Sequence, residues 1–507
     1  MLLDATGPQL LLITGPKATA LGLREARRRA GQALQLRGLS QSGFDAALAA
    51  LYQQGDQTDS AAGLSFDLED LEVGPVQRDL LEDSAEAPVI QLVNTLLRRA
   101  VSAGASDLHV EPHEDGLRIR MRVDGFLQVA MDRSDVPVRR IVSRLKVMAG
   151  LDIAETRLPQ DGRIPLRLGG RLIDTRVSSL PGKYGERIVL RILDRTTGLM
   201  SLENLGLSPS QAALLQRLAA LPNGIILATG PTGSGKTTTL YSLLQLANSD
   251  ARNIVTVEDP VEYQLERINQ VGVNPKIGLT FGTVLRSCLR QDPDILLVGE
   301  IRDQETAAIA LRAAMTGHMV LSTLHTNDAI SSAMRLVDIG VEGYMAASAL
   351  RGVLAQRLVR KICEHCSESY SPSEHEQRWV NARRQTAPGG SHFHCGRGCT
   401  YCNNTGYSGR IGIFELLELD EPMADALRAN DTQAFSRAAQ ASEGFTTLTD
   451  SALEYAAQGI TTLDEVFRVT EQMDVMAEIA EPEAQLGVGS SGAGSIGLSL
   501  EPRDSGA

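Results

Sequence analysis

The stretch Gly230-Pro231-Thr232-Gly233-Ser234-Gly235-Lys236-Thr237 constrains this chain more than any other. It satisfies the phosphate-loop pattern G-x-x-x-x-G-K-[ST] at every fixed position. The residues before it, Gly224–Thr229, read as a buried strand, and Thr238–Leu244 after it open a helix. Glycines at such a junction let backbone N–H groups close around phosphate oxygens, where the helix N-terminus adds a field that favours anions. Lys236 is expected to reach the β- and γ-phosphates, and the Thr237 hydroxyl to ligate Mg²⁺. The expected nucleotide-binding residues are therefore Gly230, Pro231, Thr232, Gly233, Ser234, Gly235, Lys236, Thr237 and Thr238.

Length and charge bound the surroundings of this loop. A chain of 507 residues predicts about three domains. Its formal net charge of -13 argues against a broad nucleic-acid footprint, which needs a basic face. No apolar run reaches the roughly 18 residues of a membrane-spanning helix, and Met1–Pro8 lack the basic region of a signal peptide. Any membrane association is then expected through a partner.

Residues 1–75 read as a small helical, partner-docking unit. A basic run, Arg24–Arg29, precedes Leu34, Leu36, Leu39, Phe44, Leu48 and Leu51. Residues 76–86 read as a linker. From Ala87 the pattern changes to one helix followed by strands. Leu117, Ile119, Met121 and Val123 alternate with Arg118, Arg120 and Arg122, a half-buried strand with a cationic outer face. A helix near Ile141–Met148 and further strands through Ile192 complete a compact α+β domain over residues 87–200. Arg157, Arg163, Arg176, Arg187 and Arg191 punctuate it. A solvated sheet face accounts for most of them, but some are placed to act as arginine fingers on a γ-phosphate.

Beyond the loop, strands and helices alternate. Ile254–Val257 is a strand ending in Glu258-Asp259-Pro260-Val261-Glu262, and Asp294–Gly299 is a buried strand that delivers Glu300. Carboxylates at the C-terminal ends of strands sit where open α/β sheets bind ligands. Arg286 and Arg290, four apart on an expected helix, share one face. His318 and His325 bracket a strand at Met319–Thr323.

Five of the six cysteines lie between Cys363 and Cys402. The pairs Cys363-x-x-Cys366 and Cys399-x-x-Cys402 form two knuckles that can hold Zn²⁺ tetrahedrally, as a closed structural site. Cys395, His365, His392 and His394 are competing ligands. Residues from Glu415 to about Ile479 read as helical, and 481–507, rich in Gly and Ser, as a flexible tail.

Four segments together resemble the secretion ATPases: Gly230–Thr239, Thr256–Tyr263, Leu289–Asp303 and Thr316–Asp328. The match is similar to type II secretion and type IV pilus-assembly motors and covers roughly residues 85–415. The resemblance implies an α/β architecture: a PAS-like α+β domain and a RecA-like phosphate-loop ATPase domain (201–480) assembled as a hexamer. The resemblance also implies a four-cysteine zinc module inserted at 360–412, as in the assembly-type members.

Residue by residue, the resemblance implies that Arg176 and Arg191 reach the nucleotide from the PAS-like domain. Arg286 and Arg290 sense phosphate charge, and His318 and His325 mark the His box. Glu300 and Glu258 are both candidates for activating water. The implied cofactors are ATP, Mg²⁺ and structural Zn²⁺. The implied partners are inner-membrane secretion platform proteins at the cytoplasmic face, with pilus assembly or DNA uptake as the alternative load and a nucleotide-gated scaffold as the alternative to turnover.

Overall fold

The computed structural model describes residues 2–4, 10–14, 34–38, 40, 71–73, 87–168, 171–194, 200–383 and 393–470. Near the N-terminus β1 (Leu2–Asp4), β2 (Leu10–Thr14) and β3 (Leu34–Gly38) form one three-stranded sheet. β2 pairs antiparallel with β1 and parallel with β3, where Leu10 faces Leu34 and Leu12 faces Leu36. This corrects the helical reading of residues 1–75 wherever they are described. Leu34 and Leu36 are separated by two and fit a strand's alternation, and Leu10-Leu11-Leu12-Ile13 is an apolar run too short for a helix.

The second sheet is antiparallel throughout. It runs β4 (Leu71–Val73), β8 (Gln160–Leu168), β9 (Arg171–Leu180), β10 (Arg187–Asp194), β5 (Asp107–His113), β6 (Gly116–Val123) and β7 (Phe126–Arg133). One face carries the apolar half of each alternation. Leu108, Val110, Leu117, Ile119, Ile164, Val177, Ile188 and Leu190 are buried there against the helices Ala87–Ser102 and Val138–Met148.

The other face carries the arginines, and the register lines them up. Arg163 pairs with Arg176, Arg176 with Arg191, Arg191 with Asp107, and Asp107 with Arg122. Directly paired residues share a face, so four guanidinium groups and one carboxylate cross the sheet in a row.

The third sheet runs β13 (Asn269–Gly272), β12 (Ile254–Glu258), β14 (Ile295–Val298), β15 (Met319–Leu324), β11 (Gly224–Thr229), β16 (Leu350–Ile362) and β19 (Tyr407–Glu418). All its pairings are parallel except β16 with β19. β11, β12, β14 and β15 are buried at every position, because helices cover both faces of a parallel sheet. The helices Pro209–Ala219 and Lys236–Ala247 pack on one face, and Phe281–Cys288, Gln304–Met315, Ala329–Asp338 and Gly343–Ala349 on the other. The segment from Glu415 to Leu417, read as helical, is the core end of β19: its apolar residues are consecutive and pair with Val353–Ala355. Helices follow from Glu421.

Contacts at opposite ends join the antiparallel sheet to the rest. Arg176 reaches Val261, described below. At the other end, the Arg360 guanidinium lies between the rings of Phe126 and Tyr407, 3.9 and 3.8 Å from their centroids, and pairs with Glu465 at 2.8 Å. Beside it Gly409 N donates to Asp124 Oδ2 at 2.9 Å. No helix among the described residues is long and apolar enough to cross a membrane.

The antiparallel unit also holds a buried ion pair. Lys146 Nζ lies 2.7 Å from Glu186 Oε1, which also accepts from Ser179 Oγ at 2.9 Å. Breaking one half of such a pair strands the other charge in the core, so Lys146→Ala is expected to destabilise this unit by about 3–5 kcal/mol. Urea unfolding followed by circular dichroism checks this; an unchanged midpoint contradicts it.

Candidate nucleotide site and cysteine cluster

β11 ends at Thr229, and the chain turns through the glycine loop into the helix Lys236–Ala247. Gly230, Gly233 and Gly235 have φ of 144, 80 and 93°, the region that disfavours side chains. A Cβ at Gly230 would lie 2.4 Å from Gln356 O and 2.6 Å from Ser234 Oγ. The loop therefore lies directly on β16. A Cβ at Gly233 would meet nothing within 4 Å, so that side of the loop is open. Ser234 Oγ is buried and has no hydrogen-bond partner.

Lys236 is buried, and its Nζ donates to Gly230 O at 2.5 Å and Pro231 O at 3.1 Å. Burial, reinforced by the nearby Arg357 charge and opposed by Glu300, brings its ammonium down to about 8. Among the described residues no carboxylate lies within ion-pair distance of it.

The two candidate carboxylates occupy different environments. Glu258, at the end of β12, is buried and saturated with donors. It accepts from Tyr241 Oη, from Thr256 Oγ1 at 2.5 Å and from Gln270 Nε2 at 3.2 Å. Burial and the Glu258 charge push the Tyr241 hydroxyl far up, so it stays a donor. Glu300 follows β14 and faces the site edge. Its Oε2 is 3.3 Å from His325 Nε2 and 2.6 Å from Arg302 Nε.

His325 begins the turn after β15. Thr229 Oγ1 lies 2.6 Å from Thr326 Oγ1 and accepts from Thr326 N at 3.0 Å, tying this turn to the end of β11. Asp328 then caps the helix Ala329–Asp338. His318 sits at the opposite end of β15, 3.0 Å from Ala313 O, away from His325.

The other expected arginines are placed as follows. Arg176 Nη2 donates to Val261 O at 2.9 Å and lies 3.2 Å from Glu262 Oε2, a close charge pair without hydrogen-bond alignment. Arg191 instead holds Asp107 of its own sheet at 3.2 Å. Arg286 pairs with Glu305 at 2.5 Å. Arg290 lies two residues beyond the end of the helix that carries Arg286. The helix ends at Cys288, and Arg290 Nη1 bends back onto Arg286 O at 2.7 Å.

Sequence reasoning missed Gln356, Arg357, Tyr241 and Arg302. The signal for the first two was present, because Gln356-Arg357 sits between the apolar runs Val353-Leu354-Ala355 and Leu358-Val359, and a polar pair inside such a run calls for an explanation. Arg357 is buried; its Nη1 donates to Gln356 O at 3.1 Å and its Nη2 to Asn327 O at 2.8 Å.

The four paired cysteines converge below β16. Cys363 and Cys366 precede β17 (Ser367–Tyr370), while Cys399 and Cys402 follow β18 (Phe393–Gly396), and these two strands pair antiparallel. Their sulfurs lie within 4.8 Å of one another, with Cys363–Cys399 at 3.8 Å, Cys366–Cys402 at 3.9 Å and Cys399–Cys402 at 3.7 Å. Burial raises the Cys402 thiol, but the N–H groups of Cys399 and Gly406, each 3.2 Å from its sulfur, help bring it to about 6. Of the competing ligands, Cys395 and His394 lie outside this group, His365 stacks on Tyr401 at 3.9 Å, and His392 lies outside the described residues.

Comparison with known proteins agrees with this geometry. Residues 82–468 match the family model described as "Type II/IV secretion system protein". The chain is 45% identical over 469 residues to the "Type II secretion system protein E" of Pseudomonas aeruginosa, covering 92% of this chain and 93% of that one. It is 44% identical over 463 residues to the "Type II secretion system ATPase E" of Vibrio cholerae, covering 89% and 90%. Among solved structures, the pilus retraction motor PilT with bound ADP is 26% identical, with a TM-score of 0.50, covering 75% of this chain and 96% of that one. The Legionella pneumophila ATPase DotB, 21% identical with a TM-score of 0.56 over 79% of this chain and 99% of its own, shares the fold. The chain belongs to the type II/IV secretion system protein family, among its type II secretion ATPases.

Proposed function

We propose that the chain works as a Mg²⁺-dependent hexameric motor, turning ATP hydrolysis into mechanical work on inner-membrane secretion platform proteins from the cytoplasmic face. The observation that carries this reading is the glycine loop itself. It has an open side at Gly233, a buried unpartnered Ser234 hydroxyl, and a desolvated Lys236 whose hydrogen-bond partners are carbonyl groups. A site of this kind is complementary to phosphate.

The two carboxylates divide the work. Glu300, open to the site and oriented by His325 and Arg302, positions and activates water. Glu258, fully occupied by donors, fixes the shape of the turn Asp259–Glu262. Thr237 and Glu300 offer the oxygen ligands that a hard cation takes; bound there, Mg²⁺ supplies charge neutralisation on the phosphates. Lys236 binds and orients the β- and γ-phosphates. Arg286, Arg290, Arg176 and Arg191 supply positive charge as the phosphoryl group transfers, which is where electrostatic stabilisation is largest.

In domain terms, residues 87–200, with the edge strand Leu71–Val73, act as a PAS-like unit, 201–480 as a RecA-like ATPase domain, and the residues before that strand as the partner-docking region. The four thiols at 360–412 fit zinc. Zn–S bonds of about 2.3 Å in a tetrahedron put sulfurs about 3.8 Å apart, against 3.7–3.9 Å for three of the six sulfur pairs and at most 4.8 Å for the rest. Four protein ligands leave no open position, so the metal's role is structural.

Three outcomes test this reading. Lys236→Ala is expected to abolish phosphate release by the purified, assembled protein; near-normal turnover would sink the assignment. Burial holds the free Lys236 ammonium near 8 rather than its ordinary 10.5, and bound phosphate restores its charge. ADP binding between those values should therefore take up as much as one proton per site, and affinity should fall as pH rises past about 8. Calorimetry in buffers of different ionisation enthalpy reads this, and proton release would contradict it. Metal analysis of freshly purified protein should find about one zinc per chain, and chains free of zinc would refute the closed site.

A further inference from the structure

Arg357 lies on β16, one residue beyond the strand's contact with the phosphate loop, and the functional roles above leave it unused. Its surroundings are unusual for an arginine. It is 5% exposed, and no carboxylate among the described residues comes within ion-pair distance. Burial, the largest influence, brings its guanidinium down to about 10 against the pull of Asp328 and Glu415. A buried guanidinium paired only with carbonyls is costly, and here it stands next to a second such cation, Lys236.

The fork of this guanidinium spans two functional segments. Nη1 donates to Gln356 O at 3.1 Å and lies 3.0 Å from where a Cβ on Gly230 would stand, so it lies against the start of the phosphate loop. Nη2 donates to Asn327 O at 2.8 Å, with Asn327 Oδ1 at 3.4 Å. Asn327 is two residues beyond His325, whose Nε2 is 3.3 Å from Glu300. The next residues are clamped from behind: Ala329 N donates to Glu415 Oε1 at 2.7 Å. One rigid planar group thus connects the place where phosphate charge arrives to the turn that orients the water-activating carboxylate.

We propose that Arg357 is a positioning residue for ATP hydrolysis, holding the His325–Asn327 turn in register with the phosphate loop so that phosphate binding fixes His325 against Glu300. The proposal rests on the reading that nucleotide phosphates bind at Gly230–Thr237. Lysine cannot replace the arginine here, because a single ammonium lacks the planar fork that serves Gln356 O and Asn327 O together.

The test uses the full-length assembled protein, with ADP and ATP as probes and Arg357→Lys as the main variant. Folded Arg357→Lys should bind ADP within about threefold of wild type and keep its KM for ATP, while kcat falls about tenfold or more, the pattern of an interaction lost in the transition state. In the wild type, ADP should slow hydrogen exchange at the amides of residues 326–329, and in Arg357→Lys this slowing should be absent. A folded variant with wild-type kcat overturns the proposal. So does one whose KM rises while kcat holds, which would make Arg357 a ligand for the phosphate. If the variant does not fold, the wild-type exchange experiment still decides: unchanged exchange at 326–329 with ADP bound overturns the proposal. A wild type that binds no ADP refutes the nucleotide site itself, a distinguishable result.

Discussion

The site depends on the in-register parallel pairing of β12, β14, β15 and β11. Val257 pairs with Val298, Val298 with Ser322, and Thr229 with Leu324. Parallel strands in register end at the same edge of the sheet, which is where open α/β sheets bind ligands. Four chain segments distant in sequence therefore discharge their next residues into one volume: the glycine loop, Glu258, Glu300 and His325. Short polar links lock the alignment. Ser322 Oγ donates to Val298 O at 2.8 Å, and Thr323 Oγ1 to Gly299 O at 2.7 Å. A one-residue slip of β15 against β14 would move both hydroxyls off these carbonyls.

On that frame the electrostatics follow from burial. Lys236 and Arg357 are both desolvated, and the Arg357 charge disfavours that of Lys236; burial contributes most to both shifts. The neighbouring carboxylates are committed elsewhere or held back. Glu258 is saturated by Tyr241, Thr256 and Gln270, Glu415 accepts from the N–H groups of Ala329 and Leu448, and Glu300 is shared between His325 and Arg302. Burial also pushes the Glu415 carboxyl up to about 7, which reduces the negative charge behind Arg357. The result is a small volume with excess positive charge and a low effective dielectric, where an anion gains more than it would in water.

What the sequence revealed and what it concealed divide along the range of the interactions. The glycine loop, the buried strands and the two cysteine pairs were legible because their logic is local: fixed spacings, short apolar runs, a turn that demands glycine. Arg357 and Tyr241 were not, because their meaning arises only when β16 docks on the loop and Gln270 and Thr256 gather around Glu258. The helix carrying Arg286 ends two residues before Arg290, whose side chain folds back onto it. Leu34, Leu36 and Glu415–Leu417 were assigned to helices from clusters of leucine, although leucine is at home in either element; pairing partners decided, and those are not visible in a single segment.

The antiparallel sheet gains its significance from where it is attached. Its row of Arg163, Arg176, Arg191 and Arg122 lies on one face, and Arg176 alone in that row reaches the turn after Glu258, through Val261 O. On the opposite flank, β7 and its turn bear on the segment next to the cysteine cluster, through Phe126 on Arg360 and Asp124 on Gly409. Between these points lie β9, β10, β5 and β6, bonded edge to edge over a continuous apolar core. A packed sheet of this kind moves as a body, not strand by strand. A displacement of the Asp259–Glu262 turn that acts on Arg176 must therefore load the contacts at Phe126 and Asp124. The thiol cluster lies beside them, with backbone N–H groups of Cys399 and Gly406 directed at Cys402. The phosphate edge and the flank beside the cysteines are thereby bridged by one packed body, held at Arg176 on one side and at Phe126 and Asp124 on the other.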